Sequence, residues 1–242
     1  MPHSSSGPAR PVHEASAVLI DLDGTLLDTA ADLAAAVNLM LSDLQRPLLT
    51  QEQVAACVGK GSEVLVHRVL TGRPDGHAPE PEHAHAMQRF LLHYQSTNGQ
   101  HAVPYPGVRE GIEAMLSAGL RLACVTNKPQ AFAEPLLARL DLADCFEFIQ
   151  GGDALPFKKP DPRPLLHAAA RLDSAPHLTV AVGDSINDAQ AARAAGMTVF
   201  IVPYGYNEGV RVQSLDVDAI VDSLLDAARR VRLYRPKPGG QP

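Results

Sequence analysis

Along the chain, short runs of consecutive apolar residues alternate with segments whose apolar positions recur every three or four residues. "AVLI" (Ala17–Ile20) is a continuous run, as a strand buried on both faces requires. "LRLACVT" (Leu120–Thr126), "FEFIQG" (Phe146–Gly151), "LTVAVGD" (Leu178–Asp184) and "MTVFIV" (Met197–Val202) follow the same rule. Between them Val108–Ala118, Gln130–Leu140, Pro164–Leu172 and Asn187–Ala195 read as helices, the last stopping at Gly196. Strands alternating with helices predict parallel βαβ units in a Rossmann-like, doubly wound α/β sheet.

One stretch breaks the alternation. From Thr29 to about His101 no segment has a strand pattern. Thr29–Leu44 is helical, with Leu33, Val37, Met40, Leu41 and Leu44 on one face. Gln51–Val58 and Ser62–Leu70 are shorter helices, and Glu82–Thr97 carries the stripe Met87, Phe90, Leu91 and Tyr94. An all-helical insert therefore follows the first strand, at the sheet edge where open α/β folds bind ligands, and would make a lid. The expected layout is a loosely ordered tail at 1–15, an α/β core at 16–28 and 104–233, a helical cap at 29–103 and a second tail at 234–242.

Composition narrows the function classes. The 45% hydrophobic and 20% charged residues are those of a globular protein. No apolar run approaches the length of a membrane span, and the polar, Pro/Ser-rich start "MPHSSSGPARPVHEAS" has no signal-peptide core. Three cysteines without a C-x-x-C suit a reducing cytoplasm. A net charge of −6 argues against nonspecific binding to nucleic acid or membranes. Any anion must be held by local cations and backbone dipoles. The composition is compatible with a monomer or a homodimer.

The polar residues that could do chemistry fall at strand ends. Asp21 and Asp23 end the first strand in "DLDGT", Thr126 and Asn127 end "LACVTN", Lys159 lies in "PFKKPDP", and Asp184 and Asp188 lie in "VGDSIND". Taken singly, an Asp at a strand end is usually a turn former or N-cap, and a lone Thr or Lys a solvated or satisfied side chain. Taken together, parallel strands bring all of them to one edge. Four carboxylates there require a cation, and oxygen-only ligands with open positions suit Mg²⁺. A metal beside a lysine makes a cationic floor for phosphate. In the insert, "GKGSE" (Gly59–Glu63) sets Lys60 between glycines at a helix start. Its free N–H groups and the lysine could bind a small carboxylate, although a plain helix start capped by Ser62 explains the string as well. Lys128 could extend the phosphate pocket or stand beside it. The ten histidines show no zinc spacing.

"DLDGTLLDT", "VTN", "KKPDP" and "GDSINDAQAA" resemble, in order, the four signature motifs of the haloacid dehalogenase-like phosphohydrolase superfamily, and the insert resembles its helical cap. Shorter strings, "VGKGSEVLVHRVL", "YPGV", "TNKP" and "PYGYNEG", resemble bacterial phosphoglycolate phosphatases. The resemblance implies a Mg²⁺-dependent phosphatase acting on a small phosphorylated substrate, 2-phosphoglycolate, through an aspartyl-phosphate. It makes Asp21 the nucleophile and Asp23 the general acid and then base. Thr126 and Lys159 would be phosphoryl ligands, with backbone N–H groups near Leu22 and Asn127. Metal ligands would be Asp21, the Asp23 carbonyl and Asp184, with Asp188 acting directly or through water. A dehalogenase of the superfamily would lack the Asp23 carboxylate. A sugar-phosphate phosphatase or phosphomutase of the superfamily is the alternative. A non-catalytic binder of a phosphorylated ligand or partner would have lost one of these groups, and none is lost.

Overall fold

The computed structural model describes residues 12–235. Strands β1 (His13–Ala15) and β2 (Ala17–Ile20) lead to β3 (Leu27–Asp28). Four helices follow, α1 (Ala30–Asp43), α2 (Gln51–Ala55), α3 (Ser62–Thr71) and α4 (Glu80–Thr97), before β4 (Val103–Pro104) returns the chain. The alternating region runs through α5 (Val108–Ser117), β5 (Arg121–Val125), α6 (Gln130–Arg139), β6 (Phe148–Gln150), α7 (Arg163–Arg171), β7 (Thr179–Gly183), α8 (Ile186–Ala194) and β8 (Thr198–Ile201). It ends with β9 (Ala219–Ile220), α9 (Leu224–Arg229) and β10 (Val231–Leu233).

Six strands form an all-parallel sheet in the order β6-β5-β2-β7-β8-β9. The chain order thus reverses at the β2/β7 boundary, and the crevice beyond the carboxyl ends of those strands is where such sheets take ligands. Helices cover both faces, so alternate residues of one strand enter different cores. Val18 and Ile20 pack with Leu122, Val182, Ile112 and Leu136, whereas Ala17 and Leu19 pack with Val125, Ala181, Leu165 and Ala192. That two-sided burial is why the strands read as unbroken apolar runs.

The helical insert has its own core, in which Leu33, Val37, Met40 and Leu41 of α1 meet Val54, Val66, Phe90 and Tyr94. Phe132 and Tyr206 of the α/β part join this cluster. The two crossings between the parts lie side by side, because β3 and β4 pair antiparallel with Leu27 opposite Pro104.

His13–Ala15 lies within the segment expected to be a loose tail. It forms β1 instead, pairing in parallel with β10, and Ala15 is fully buried. Glu14 and Arg232 add an exposed ion pair at 2.8 Å. Tyr234, expected in the second tail, donates its N–H to the Ala15 carbonyl at 2.8 Å. The pairing partners lie over two hundred positions apart, so no local pattern signals them. The remainder of both tail expectations, 1–11 and 236–242, falls outside the described residues. Among the described residues no helix is long and apolar enough to cross a membrane.

Candidate active site

Asp21 follows β2 directly, its N–H bonded to the Val182 carbonyl of β7 at 2.9 Å. The sheet ladder therefore fixes its backbone. Lys159, from the loop before α7, is buried under it. The Lys159 ammonium lies 2.9 Å from Asp21 Oδ1 and 2.6 Å from Asp188 Oδ1, and it donates to the Val125 carbonyl at 2.9 Å. Burial opposes its charge, but the Asp188 and Asp21 carboxylates outweigh that and hold its pKa above the ordinary lysine value. Lys159 is a fixed cation.

Asp184 ends β7. It accepts from Thr25 Oγ1 at 3.0 Å and from the Tyr206 N–H at 2.5 Å. Asp188, in the first turn of α8, accepts from Ser185 Oγ at 2.6 Å. Ligand oxygens of Asp21, Asp184 and Asp188 all lie within 4.8 Å of one another. Burial pushes the Asp21 carboxyl up to about 6, with Lys159 acting against it and Asp188 reinforcing it. Burial, then Asp188 and Asp21, push Asp184 well above the carboxylate range. Three carboxylates thus stand together with one ammonium, which contacts Asp21 and Asp188 and leaves Asp184 without a cation among the described residues, and the surplus matches a divalent cation. Asp21 Oδ1 is buried without an aligned hydrogen bond. The backbone crowds in around the same carboxylates: a Cβ on Gly24 (φ +85°) or on Gly205 would come within 2.3 Å of Asp184 Oδ2. The residues fit a hard cation held by oxygen.

Asp23 faces another way. Its Oδ1 accepts from Thr29 Oγ1 at 2.8 Å and from Lys128 Nζ at 3.0 Å. It is not part of the three-carboxylate group. Thr126 Oγ1 accepts the Lys128 N–H at 3.2 Å, leaving its own hydroxyl hydrogen to donate elsewhere. The Asn127 amide is spent on structure. It donates to the carbonyls of Gly59 and Lys159 at 3.0 and 2.9 Å and accepts the Lys159 N–H at 2.9 Å. Its side chain therefore ties the insert to the lysine loop, and only its backbone could meet a ligand.

These groups surround one small cavity of about 40 Å³ between the insert and the sheet edge. Asp21, Asp23, Thr126, Asn127, Lys128 and Asp184 line its floor. Leu33, Val58, Leu65, Tyr94, Gly59, Gly61 and Ser62 line its roof. Lys159 and Asp188 lie beneath Asp21. Lys60 is half-buried and does not line the cavity, although both flanking glycines do. Gly61, not Ser62, is the N-cap of α3.

The sequence leaves Lys128 either in the phosphate pocket or beside it, and the structure places it in the cavity lining. Lys128 is buried against Asp23 and the Tyr94 hydroxyl. Tyr94 had the pattern of a core residue, and its ring does pack there. The segment 203–209 acts as a strap. Tyr206 holds Asp184 by its N–H and receives the Thr29 and Ala30 N–H groups on its hydroxyl at 2.8 and 2.9 Å. Glu208 pairs with the buried Arg68 of α3 at 2.5 Å and accepts from Asn187 at 2.6 Å. The "PYGYNEG" string was the available signal.

A family model described as haloacid dehalogenase-like hydrolase matches residues 18–202. The chain belongs to that family. Within it, the protein is 53% identical over 216 residues to a phosphoglycolate phosphatase of Nitrosospira multiformis, covering 89% of this chain and 95% of the relative. A phosphoglycolate phosphatase of Thiobacillus denitrificans is 49% identical over 215 residues, covering 89% and 95%. A solved structure described as a predicted phosphoglycolate phosphatase from Haemophilus somnus 129PT superposes with a TM-score of 0.83 at 31% identity, covering 89% of this chain and 97% of that one.

Proposed function

We propose that this protein is a Mg²⁺-dependent phosphatase that hydrolyses 2-phosphoglycolate to glycolate through a phosphorylated Asp21. The carrying observation is the buried ammonium of Lys159 between Asp21 and Asp188, with Asp184 in the same carboxylate group. The relatives named phosphoglycolate phosphatase support the substrate. The small size of the cavity is in keeping with a small substrate.

Bound by Asp21, Asp184 and Asp188, with the Asp23 carbonyl beside them, Mg²⁺ would neutralise the phosphoryl charge that otherwise repels an anionic attacker. Asp21 attacks phosphorus, and the bond from phosphorus to the ester oxygen breaks. That oxygen leaves with the electron pair and takes a proton from Asp23. Asp23, now a carboxylate, takes a proton from water, whose oxygen attacks phosphorus as the bond to Asp21 breaks. Phosphate departs, and Asp21 and the protonated Asp23 are restored. The Thr126 hydroxyl holds a phosphoryl oxygen throughout, and Lys159, whose ammonium is taken up by Asp21, Asp188 and the Val125 carbonyl, offsets the charge from beneath Asp21. The amides at the start of α3 receive the substrate carboxylate, with Lys60 adding positive charge from outside the cavity wall.

The test is phosphate release from a panel of small esters, with Mg²⁺ and with EDTA. The expected result is metal-dependent turnover with 2-phosphoglycolate foremost, and a KM for 2-phosphoglycolate raised more than that for ethyl phosphate in Lys60→Ala. Sugar phosphates leading the panel would overturn the substrate, and full activity in EDTA would overturn the metal.

A further inference from the structure

Lys159 sits where its motif demands. Lys128 is a second buried ammonium, only 4% exposed, on the other side of the site. Burial opposes its charge, but Asp23 and then Tyr94 outweigh that and hold its pKa above the ordinary value. It donates to Asp23 Oδ1 at 3.0 Å and to the Tyr94 hydroxyl, and it lies 4.8 Å from the centre of the Tyr94 ring. Asp23 Oδ1 receives Thr29 as well. No hydrogen bond from the described residues reaches Asp23 Oδ2. One oxygen is pinned twice and the other is left for the substrate.

The chain of contacts also crosses between the two parts of the protein. Tyr94 belongs to α4 of the insert, Lys128 to the loop after β5, and Asp23 to the loop after β2. Tyr94 is itself buried among Phe90 and Phe132, so its hydroxyl is a fixed point.

We propose that Lys128 is a positioning residue for Asp23, aimed by Tyr94, so that seating the helical insert over the substrate sets the acid that protonates the leaving oxygen. This rests on the assignment of Asp23 as that acid. Lys128 then acts on one bond event, departure of the ester oxygen. Its loss matters where that oxygen leaves as a strongly basic alkoxide and not where it leaves as a weakly basic carboxylate.

Three substrates of similar size separate the roles, each read as kcat/KM with Mg²⁺ in excess, which reports steps up to loss of the organic group. 2-Phosphoglycolate releases an alkoxide and carries a carboxylate. Ethyl phosphate releases an alkoxide alone. Acetyl phosphate releases acetate. In Lys128→Met we expect kcat/KM to fall about 100-fold for the first two and less than about threefold for acetyl phosphate. Tyr94→Phe removes one hydroxyl and should show the same selectivity at about five- to tenfold. Equal losses on all three substrates would make Lys128 a phosphoryl ligand and overturn the proposal. Loss on 2-phosphoglycolate alone would make it a carboxylate ligand and overturn it too. If Lys128→Met loses all activity with a lowered unfolding midpoint, Tyr94→Phe decides by the same ratios. Failure of the wild-type enzyme to release phosphate from any of the three would instead overturn the phosphatase assignment itself.

Discussion

Asp21 and Asp23 stand two positions apart and meet different cations, Lys159 on one side and Lys128 on the other. Residues two apart on a strand share a face, so it is the bend of the chain after β2 that turns Asp23 away from Asp21 and lets a DxD serve two tasks. Asp21 is half-buried, and desolvation of its carboxyl disfavours its charge, with Lys159 acting against that and Asp188 reinforcing it. Asp21→Asn should therefore remove turnover, by about 10⁴-fold or more, because an amide cannot replace the attacking carboxylate. It should also leave the metal-free protein as stable as the wild type or more so at pH 7, because a buried like-charge contact is gone. Steady-state kinetics and thermal unfolding check the two halves. Retained phosphatase activity would remove the covalent route.

Among the elements, α1 and α4 carry the insert, and the return of the chain from α4 is set by a residue with no catalytic task. Asp32 of α1 is fully buried and accepts the N–H groups of Gly99, His101 and Ala102 at 2.7, 2.7 and 3.2 Å. In sequence it looks like an ordinary polar residue in the first turn of a helix. Its carboxylate replaces the partners that a chain turning back under its own helix would lack. Asp32→Ala leaves those donors unpaired and should cost about 3 kcal/mol. That lowers the melting temperature by roughly 6–12 °C. Differential scanning calorimetry checks it, and an unchanged midpoint would mean that water replaces the carboxylate. Arg68 and Glu208 latch the opposite side of the insert, with side-chain exposures of 4% and 11%. The insert is thus tied at the stem by Asp32, at the strap by Glu208 and in the site by Tyr94.

For the whole molecule, the three-carboxylate group links stability to pH and metal. Asp21 has a carboxyl near 6 in the metal-free fold, against an ordinary value of 3.8. Between those values the native state keeps a proton that the unfolded chain has lost, so stability falls as pH rises through this window. Mg²⁺ held by these carboxylates in the native state, as proposed, would reverse the penalty. At a hundredfold excess over Kd it should add about 2.7 kcal/mol. That is a rise of roughly 5–10 °C in melting temperature at pH 7.5, and the rise should shrink toward pH 4.5 as the carboxylates protonate. Equal shifts at both pH values would place the metal elsewhere. The parallel sheet, the helical insert and the floor of the site were legible because each leaves a local mark. Buried strands such as Val180–Val182 leave apolar runs, and the helix stripes leave a period. What was not legible depends on partners far away in the chain. Asp32 looks like a solvated charge until the fold brings its partners, Lys128 is a pocket candidate whose partners Asp23 and Tyr94 no local pattern supplies, and β1 and β10 are too short to announce themselves. The Asn127 amide shows the reverse case: a residue at a binding motif whose side chain proves to be scaffold.

The clasp of β1 on β10 also brings the first and last strands of the described residues together. β1 runs into the amino end of β2, and Ser16 bonds to the Leu178 carbonyl just before β7 begins. These two strands are consequently anchored at the base of the sheet, on the side away from the rim that holds Asp21 and Asp184. A tether fixed to the exposed Glu14 or Arg232 of that clasp, to a bead or to a neighbouring enzyme, would leave the mouth of the reaction chamber unobstructed.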